Sequence, residues 1–360
     1  MINLFGNKYS KEELLKKVGD ISQIGGVRLV ELGDGYERGV RAAEFRTGSG
    51  LDFTVLIDRG LDISTAAFKG QPLAWRSAMT DKNPAYYDDK GLGWLRSFYG
   101  GLMVTCGLTY VGNPCEDNDQ SLGLHGRISN TPATNVYTDG AWLEDGSYEM
   151  WVQGKLNESI VFGENIRMER RISAKLGENV IRIHDKVTNL GYYESEHMIL
   201  YHINAGFPVV DADSKLVAPV KSYKPRDEDS EEGKENYAEL ESPAHTTQEK
   251  VYYLDLAEDS DGNTGVALIN RSVDNGFGFY VKFPKKELPK FVEWRNPSER
   301  DYVVGLEPAN CYVEGRDVDR KNGVLQFLQP GETREYHVEI GILSSETEIS
   351  AFEAYVKSLI

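Results

Sequence analysis

Three short segments, remote from one another in the chain, carry the residue types that proton transfer requires. They are Leu124-His125-Gly126-Arg127, Tyr201-His202-Ile203-Asn204-Ala205-Gly206-Phe207-Pro208 and Gly305-Leu306-Glu307-Pro308-Ala309-Asn310. Pro308 biases Glu307 toward extended geometry, and Tyr302-Val303-Val304 upstream reads as the end of a strand. A glutamate at the tip of such a strand, aimed inward, is costly unless a partner hydrogen-bonds it or a proton passes through it. In the second segment, alternation sets His202 and Asn204 on one face with Met198 and Leu200, and His197 on the other. The Gly and Pro that follow end the strand, as at the wall of a cleft. A carboxylate and an imidazole positioned around one substrate can serve as general base and general acid. Taken singly, each has an ordinary alternative: a loop glutamate, a core histidine satisfied by a carbonyl, and, for His125, a surface histidine in a turn.

Other chemistries find less support. No His-Glu-x-x-His, Cys-x-x-Cys or Asp-rich calcium loop occurs. His125, His202 and Glu307 are enough donors for zinc, but their scatter gives no spacing argument, so neither a metal nor another cofactor is expected. No Gly-x-Ser-x-Gly is present, and Cys106 lies in an apolar strand where a thiol packs inertly.

The elements that must position these residues are strands. Ser10-Lys-Glu-Glu13 is a capping box that opens a short helix ending near Gly19. From Gly26 onward, short strands alternate with turn clusters at about ten-residue spacing, the pattern of a sandwich or barrel. Residues 91–98 could hold one helical turn with Leu95, Phe98 and Leu102 on one side, and Leu102 to Leu108 reads as a strand buried on both faces. Ser147 to Lys155, Ile166 to Ile172, Val180 to Thr188 and His197 to Asn204 alternate most plainly, although Arg170 breaks the apolar face of its strand. His184 falls among charges on a solvated face, and the last strand, Tyr336 to Leu343, puts His337 with Glu339 on its polar face. Residues 221–249 are too charged to bury and read as an exposed, mobile excursion. Sheet patterns resume from Val251 to Trp294. Ser345-Glu-Thr-Glu348 opens a terminal helix carrying Ile349, Phe352, Val356 and Leu359 along one side.

The chain has 360 residues, 57 Asp and Glu against 40 Lys and Arg, and a net charge of −17. That balance disfavours nucleic acid and anionic membrane surfaces as partners. No apolar run approaches 18 residues and no signal peptide is visible. Three cysteines without a Cys-x-x-Cys pair fit a reducing cytoplasm. Length alone suggests two domains, but all-β units of this kind run long. We therefore expect one β-domain over 1–360, with its core at about 25–343.

The order of these segments resembles the aldose 1-epimerase (galactose mutarotase-like) superfamily: Leu-His-Gly, then a strand with His and a near Asn, then Leu-Glu-Pro, and Pro-Gly-Glu before the last strand. Asp58-Arg-Gly-Leu-Asp-Ile63, Gly100-Gly-Leu-Met-Val-Thr-Cys-Gly-Leu108, His202 to Pro208 and Gly305 to Asn310 together look like a branch of it known as an aldose-epimerase-like domain of unknown function. The resemblance covers about residues 25 to 343. It implies a mainly β fold, a large two-sheet antiparallel super-sandwich, with Glu307 as general base, His202 as general acid and His125 as an orienting histidine. A small-molecule sugar would open and reclose between a carboxylate and an imidazolium on opposite sides of it, without a cofactor. Asn204 and Trp294 are the expected substrate contacts. The Asn-Arg segment that grips the sugar in true mutarotases is missing, which leaves Arg96, Arg76 or Arg59 as its substitute. Two alternatives remain open: an epimerase or isomerase of a keto- or acidic sugar, and a carbohydrate-binding protein without catalysis. The sequence leaves the assembly open, a homodimer included.

Overall fold

The alternating runs between 147 and 205 fold as antiparallel strands. In the computed structural model, which describes residues 1–245 and 247–360, Tyr148–Ser159, Asn165–Lys175 and Val180–Asn189 are consecutive members of an eight-stranded sheet. Its order runs from Thr134–Trp142 at one edge through these three to Thr333–Leu343, Phe277–Pro284, Asn263–Asn270 and Ser214–Val217. A second sheet is ordered Val220–Pro225, Lys250–Leu256, Lys290–Asn296, Val303–Ala309, Ser195–Ala205, Gln326–Leu328, and Val104–Leu108 also pairs with Ser195–Ala205. Gly26–Glu31, Arg41–Arg46, Leu51–Leu56, Asp62–Phe68 and Gln71–Pro72 make a five-stranded sheet. The expected mainly β super-sandwich is the observed architecture, with four short helices among the described residues.

The main core lies between the two large sheets. Met150, Val152, Ile166, Met168, Ile172, Ile183 and Val338 meet Ile199, Tyr201, Ile203, Leu306 and Phe291 there. Because side chains alternate along a strand, burying Tyr201, Ile203 and Leu306 in that core sends His202, Asn204 and Glu307 to the other face. That face packs on a second apolar cluster, which includes Trp94, Phe98, Val104, Cys106, Leu200, Val251, Val292 and Ala309.

Arg170, which interrupts an otherwise apolar face, is buried in the main core as a deliberate polar element. Its guanidinium lies 2.8 Å from Asp62 and 2.6 Å from Asp185, and donates to the Gly60 carbonyl and to Thr105 Oγ1. Tyr201 Oη donates to Asp185 at 2.7 Å. The network thus ties the Asp58–Ile63 segment and the Val104–Leu108 strand to the residue preceding His202.

Three expectations need correction. The described residues of the 221–249 segment, all but 246, are not an unstructured excursion: the segment begins in the Val220–Pro225 strand, continues through the Glu228–Glu231 helix, and buries Ser230 and Leu240. The 91–98 turn is a 3-10 turn, Gly93–Arg96, that buries Trp94 and Phe98 and leaves Leu95 exposed. Glu307 stands within the Val303–Ala309 strand, whose seven residues are all buried, and not at its tip. Both capped helices form, Lys11–Leu15 and Glu346–Ser358, the first shorter than its pattern suggests.

Candidate functional site

The register of two neighbouring strands creates the site. Ile203 pairs with Leu306 and Leu200 with Ala309, so His202 falls directly opposite Glu307. Directly opposed side chains on one face are the closest non-bonded neighbours in a sheet. Pro308 has no N–H to give, and the ladder is interrupted at this point, as proline within a sheet requires. His202 Nε2 and Glu307 Oε1 approach to 3.2 Å, within contact but not aligned as a hydrogen bond. Gly305 makes room for the pair: a Cβ there would stand 2.5 Å from Glu307 Oε1 and 3.3 Å from His202 Cε1.

His125 arrives from the other side. Its backbone adopts a left-handed conformation, φ 57°, held by bonds from its N–H to Gly112 O and from Gly107 N–H to its own carbonyl. Such a conformation is strained for a residue with a Cβ and persists where the surroundings over-determine it. Its Nδ1 accepts the Gly112 N–H at 3.4 Å, which puts the ring proton on Nε2 and makes that nitrogen a donor. The His125 and His202 rings are 6.0 Å apart and perpendicular. The three residues that the sequence singled out therefore converge.

Aromatic rings enclose them. Trp294 and Phe98 each lie 5.3 Å from the His202 ring, Trp94 lies 4.9 Å from His125, and Trp75 bridges Phe98 and Trp294. The enclosure leaves His202 4 % and Glu307 2 % exposed. Burial, reinforced by the neighbouring Glu249 charge and opposed by Arg226, pushes the Glu307 carboxyl well above its ordinary range. Burial, with His125 adding to it, takes His202 down to about 3, and burial alone takes His125 to about 4. Both members of the pair thus favour their neutral forms, and together they hold one proton. Asn204 is buried on the same face; its amide donates to the carbonyls of Gly101 and His202, while its Oδ1, like His202 Nδ1 and Glu307 Oε1, has no partner among the described residues. Buried polar atoms without a partner call for an explanation, and three of them on one face make this the candidate site.

The arginines are distributed differently from the expectation. Arg59 is buried and its guanidinium donates to the carbonyls of Ser129, Lys82 and Ser97, so it braces loops and does not reach the pair. Arg76 follows Trp75 on the opposite face of its segment and pairs with Asp81 at 2.7 Å. Arg96 is exposed at the end of the turn that carries Trp94, without an ion-pair partner among the described residues. The cation that acts on Glu307 is Arg226, from the segment expected to be mobile. It binds Glu249 at 3.0 Å, and Glu249 accepts the Trp294 indole N–H at 2.8 Å. Sequence reasoning missed this chain and missed Trp75, Trp94 and Phe98. The available signal was Trp94 and Phe98 just ahead of Gly100-Gly101, where a Cβ on Gly100 would stand 2.6 Å from the Trp75 carbonyl oxygen.

A structure from Klebsiella pneumoniae subsp. pneumoniae MGH 78578, named "putative aldose 1-epimerase", matches with a TM-score of 0.88 and 26% identity over 92% of this chain and 87% of that one. A galactose mutarotase-like protein from Clostridium acetobutylicum matches at TM-score 0.61 and 14% identity, over 89% of this chain and 99% of that one. Galactose 1-epimerase from Lactobacillus acidophilus NCFM matches at 0.58 and 13%, over 89% and 100%. These last two likenesses are of fold. No match was found among curated proteins. Residues 37–342 match the model of the family described as Domain of unknown function (DUF4432), and the chain belongs to that family, a branch of the galactose mutarotase-like superfamily.

Proposed function

We propose that the protein is a sugar isomerase of the aldose 1-epimerase type, which interconverts anomers of a free or modified aldose by proton transfer. The observation that carries this reading is the contact of Glu307 with His202, 3.2 Å apart inside an aromatic enclosure. The hydroxyl and the ring oxygen of a cyclic aldose are bonded to the same anomeric carbon. Two groups side by side can therefore address both oxygens from one side, and need not face each other across the ring as first expected. Ring opening takes a proton from the anomeric hydroxyl and delivers one to the ring oxygen. A pair that holds one proton does both at once, and reclosure on the other carbonyl face reverses the two transfers. His125 Nε2 donates to an oxygen of the open form, and Asn204 Oδ1 accepts from a hydroxyl. Trp294, Trp94 and Phe98 offer flat faces to the sugar's C–H surfaces, and Arg96 is the candidate for the hydroxyl-gripping arginine.

Glu307→Gln keeps the shape of the side chain and removes its titration. It should lower the enzymatic anomerisation rate about 10²–10⁴-fold, the usual contribution of a positioned acid–base group. Fold and sugar affinity should be retained. Exchange NMR or polarimetry over a panel of aldoses reads the rate, and an unchanged rate in the variant would refute the assignment.

A further inference from the structure

Two histidines outside this site are cross-strand partners on the eight-stranded sheet. His184, on Val180–Asn189, pairs with His337, on Thr333–Leu343, and their rings stack 4.3 Å apart at 15°. Glu335 is two residues before His337, hence on the same outward face, and its Oε2 lies 2.7 Å from His184 Nε2. From the connection between Phe277–Pro284 and Lys290–Asn296, Glu287 holds His337 from behind. It accepts the His337 backbone N–H at 2.7 Å and approaches Nδ1 at 3.0 Å. With Nδ1 donating to Glu287, the Nε2 lone pair of His337 is free.

Donor atoms of His184, Glu335 and His337 lie within 4.8 Å of one another. Two imidazoles and a carboxylate are a donor set that suits zinc and its first-row neighbours. A carboxylate on the non-ligating nitrogen of a histidine is the support that metal-bound histidines ordinarily carry. Lys186 Nζ takes the other oxygen of Glu335 at 3.2 Å, so Oε2 can turn to a cation without stripping that contact. All three side chains are partly exposed, which leaves the remaining coordination positions to water.

We infer that His184, His337 and Glu335 form a surface site for a divalent first-row transition cation of the zinc type, with Glu287 orienting His337. The site is independent of the anomerisation chemistry. Titration of the tag-free full chain with Zn2+ by calorimetry, and with Co2+ by its visible absorption, should give one saturable equivalent. The double variant H184A/H337A should lose it, and Glu287→Gln should weaken it about 10–100-fold, as loss of such a supporting carboxylate does. H202A/E307Q should bind as the unmodified chain does. In the unmodified chain, substoichiometric Cu2+ should broaden the ring resonances of His184 and His337 before those of His125 and His202. Absence of saturable binding, binding that survives H184A/H337A, or the opposite order of broadening would overturn the inference.

Discussion

The pH dependence of the rate separates two ways in which Glu307 and His202 could divide their work. Suppose an imidazolium at His202 supplied the proton with no help from Glu307. With His202 lowered to about 3 by burial and by His125, its charged fraction falls tenfold for each unit above that value. Three units, from pH 4 to pH 7, then correspond to a roughly 1,000-fold fall in rate. The shared-proton pair behaves otherwise. Its one-proton form has the same total charge whichever residue carries the proton, so its population stays constant between the two macroscopic titrations. The lower of these is near 3, where the pair gains a second proton. The upper is the raised titration of Glu307, set by burial, by Glu249 and by Arg226, with Glu293 a smaller influence from the opposite face of its strand. We therefore expect an enzymatic rate that is flat above the lower titration and declines only where the raised Glu307 titration is reached. Polarimetry of a freshly dissolved anomer would measure it, with Glu307→Gln as the blank for buffer-catalysed mutarotation and tryptophan fluorescence confirming the fold at each pH. A tenfold loss per unit across pH 4 to 7 would refute the shared-proton reasoning, even if the enzyme is active.

Three further outcomes follow from neighbouring charges. Glu249→Gln removes a repulsive charge from Glu307, so the alkaline limb of the rate profile should move to lower pH, and Arg226→Gln should move it higher; profiles of both variants check this. Arg170→Met leaves Asp62 and Asp185 buried without their cation and should cost about 3–5 kcal/mol in urea unfolding. Glu293, fully buried, is raised to about 7 by burial, with Arg295 opposing. Its folded titration lies above the unfolded one, so its contribution to stability is whole below about pH 4.5 and lost as pH rises through about 7. Glu293→Gln should therefore gain as much as about 3 kcal/mol over the unmodified chain at pH 8, less what Arg295 forfeits, and little at pH 4.5; urea titrations at the two pH values decide it.

Legibility in the sequence tracked how local the physics was. Tyr148–Ser159, Asn165–Lys175 and Val180–Asn189 could be read because one face of each is buried and the other is not, and period two follows directly; Ser195–Ala205 is buried on both faces, and its alternation separates two kinds of packing. The separation of His197 from His202 followed by the same rule. His197 sits under the sheet, bonded to Tyr336 Oη at 2.7 Å and the Leu108 carbonyl, while His202 faces the aromatic enclosure. Glu307 could be singled out but not located, because Pro308 reads as a strand end and only the tertiary register shows it inside a central strand. Arg59 and Arg76 have the right chemistry for a substrate grip. Nothing in their neighbours announces that three carbonyls hold the first and Asp81 the second. The 221–249 segment misled for a related reason: its charges look solvated, but Arg226 is bonded to Glu249, and Glu249 to Trp294 on the neighbouring strand.

The site depends on register more than on any single contact. Each strand that contributes to it has one face in the inter-sheet core and one in the aromatic enclosure. A slip of one residue along Ser195–Ala205 would send His202 into the core and bring Tyr201 to face the enclosure. Several features oppose that slip. Tyr201 is bonded to Asp185 beneath the sheet, Asp185 to Arg170, and Arg170 to Asp62 and Thr105, which fixes the strand from its buried side. Asn310 adds a second clamp, its Oδ1 accepting the Ile199 N–H at 2.7 Å and its amide donating to the His197 carbonyl. A buried ion network contributes little net stability against an apolar substitute. Its place under His202 is better explained by the alignment it enforces: a histidine and a glutamate from strands a hundred residues apart must meet within one hydrogen-bond length for a single proton to serve both.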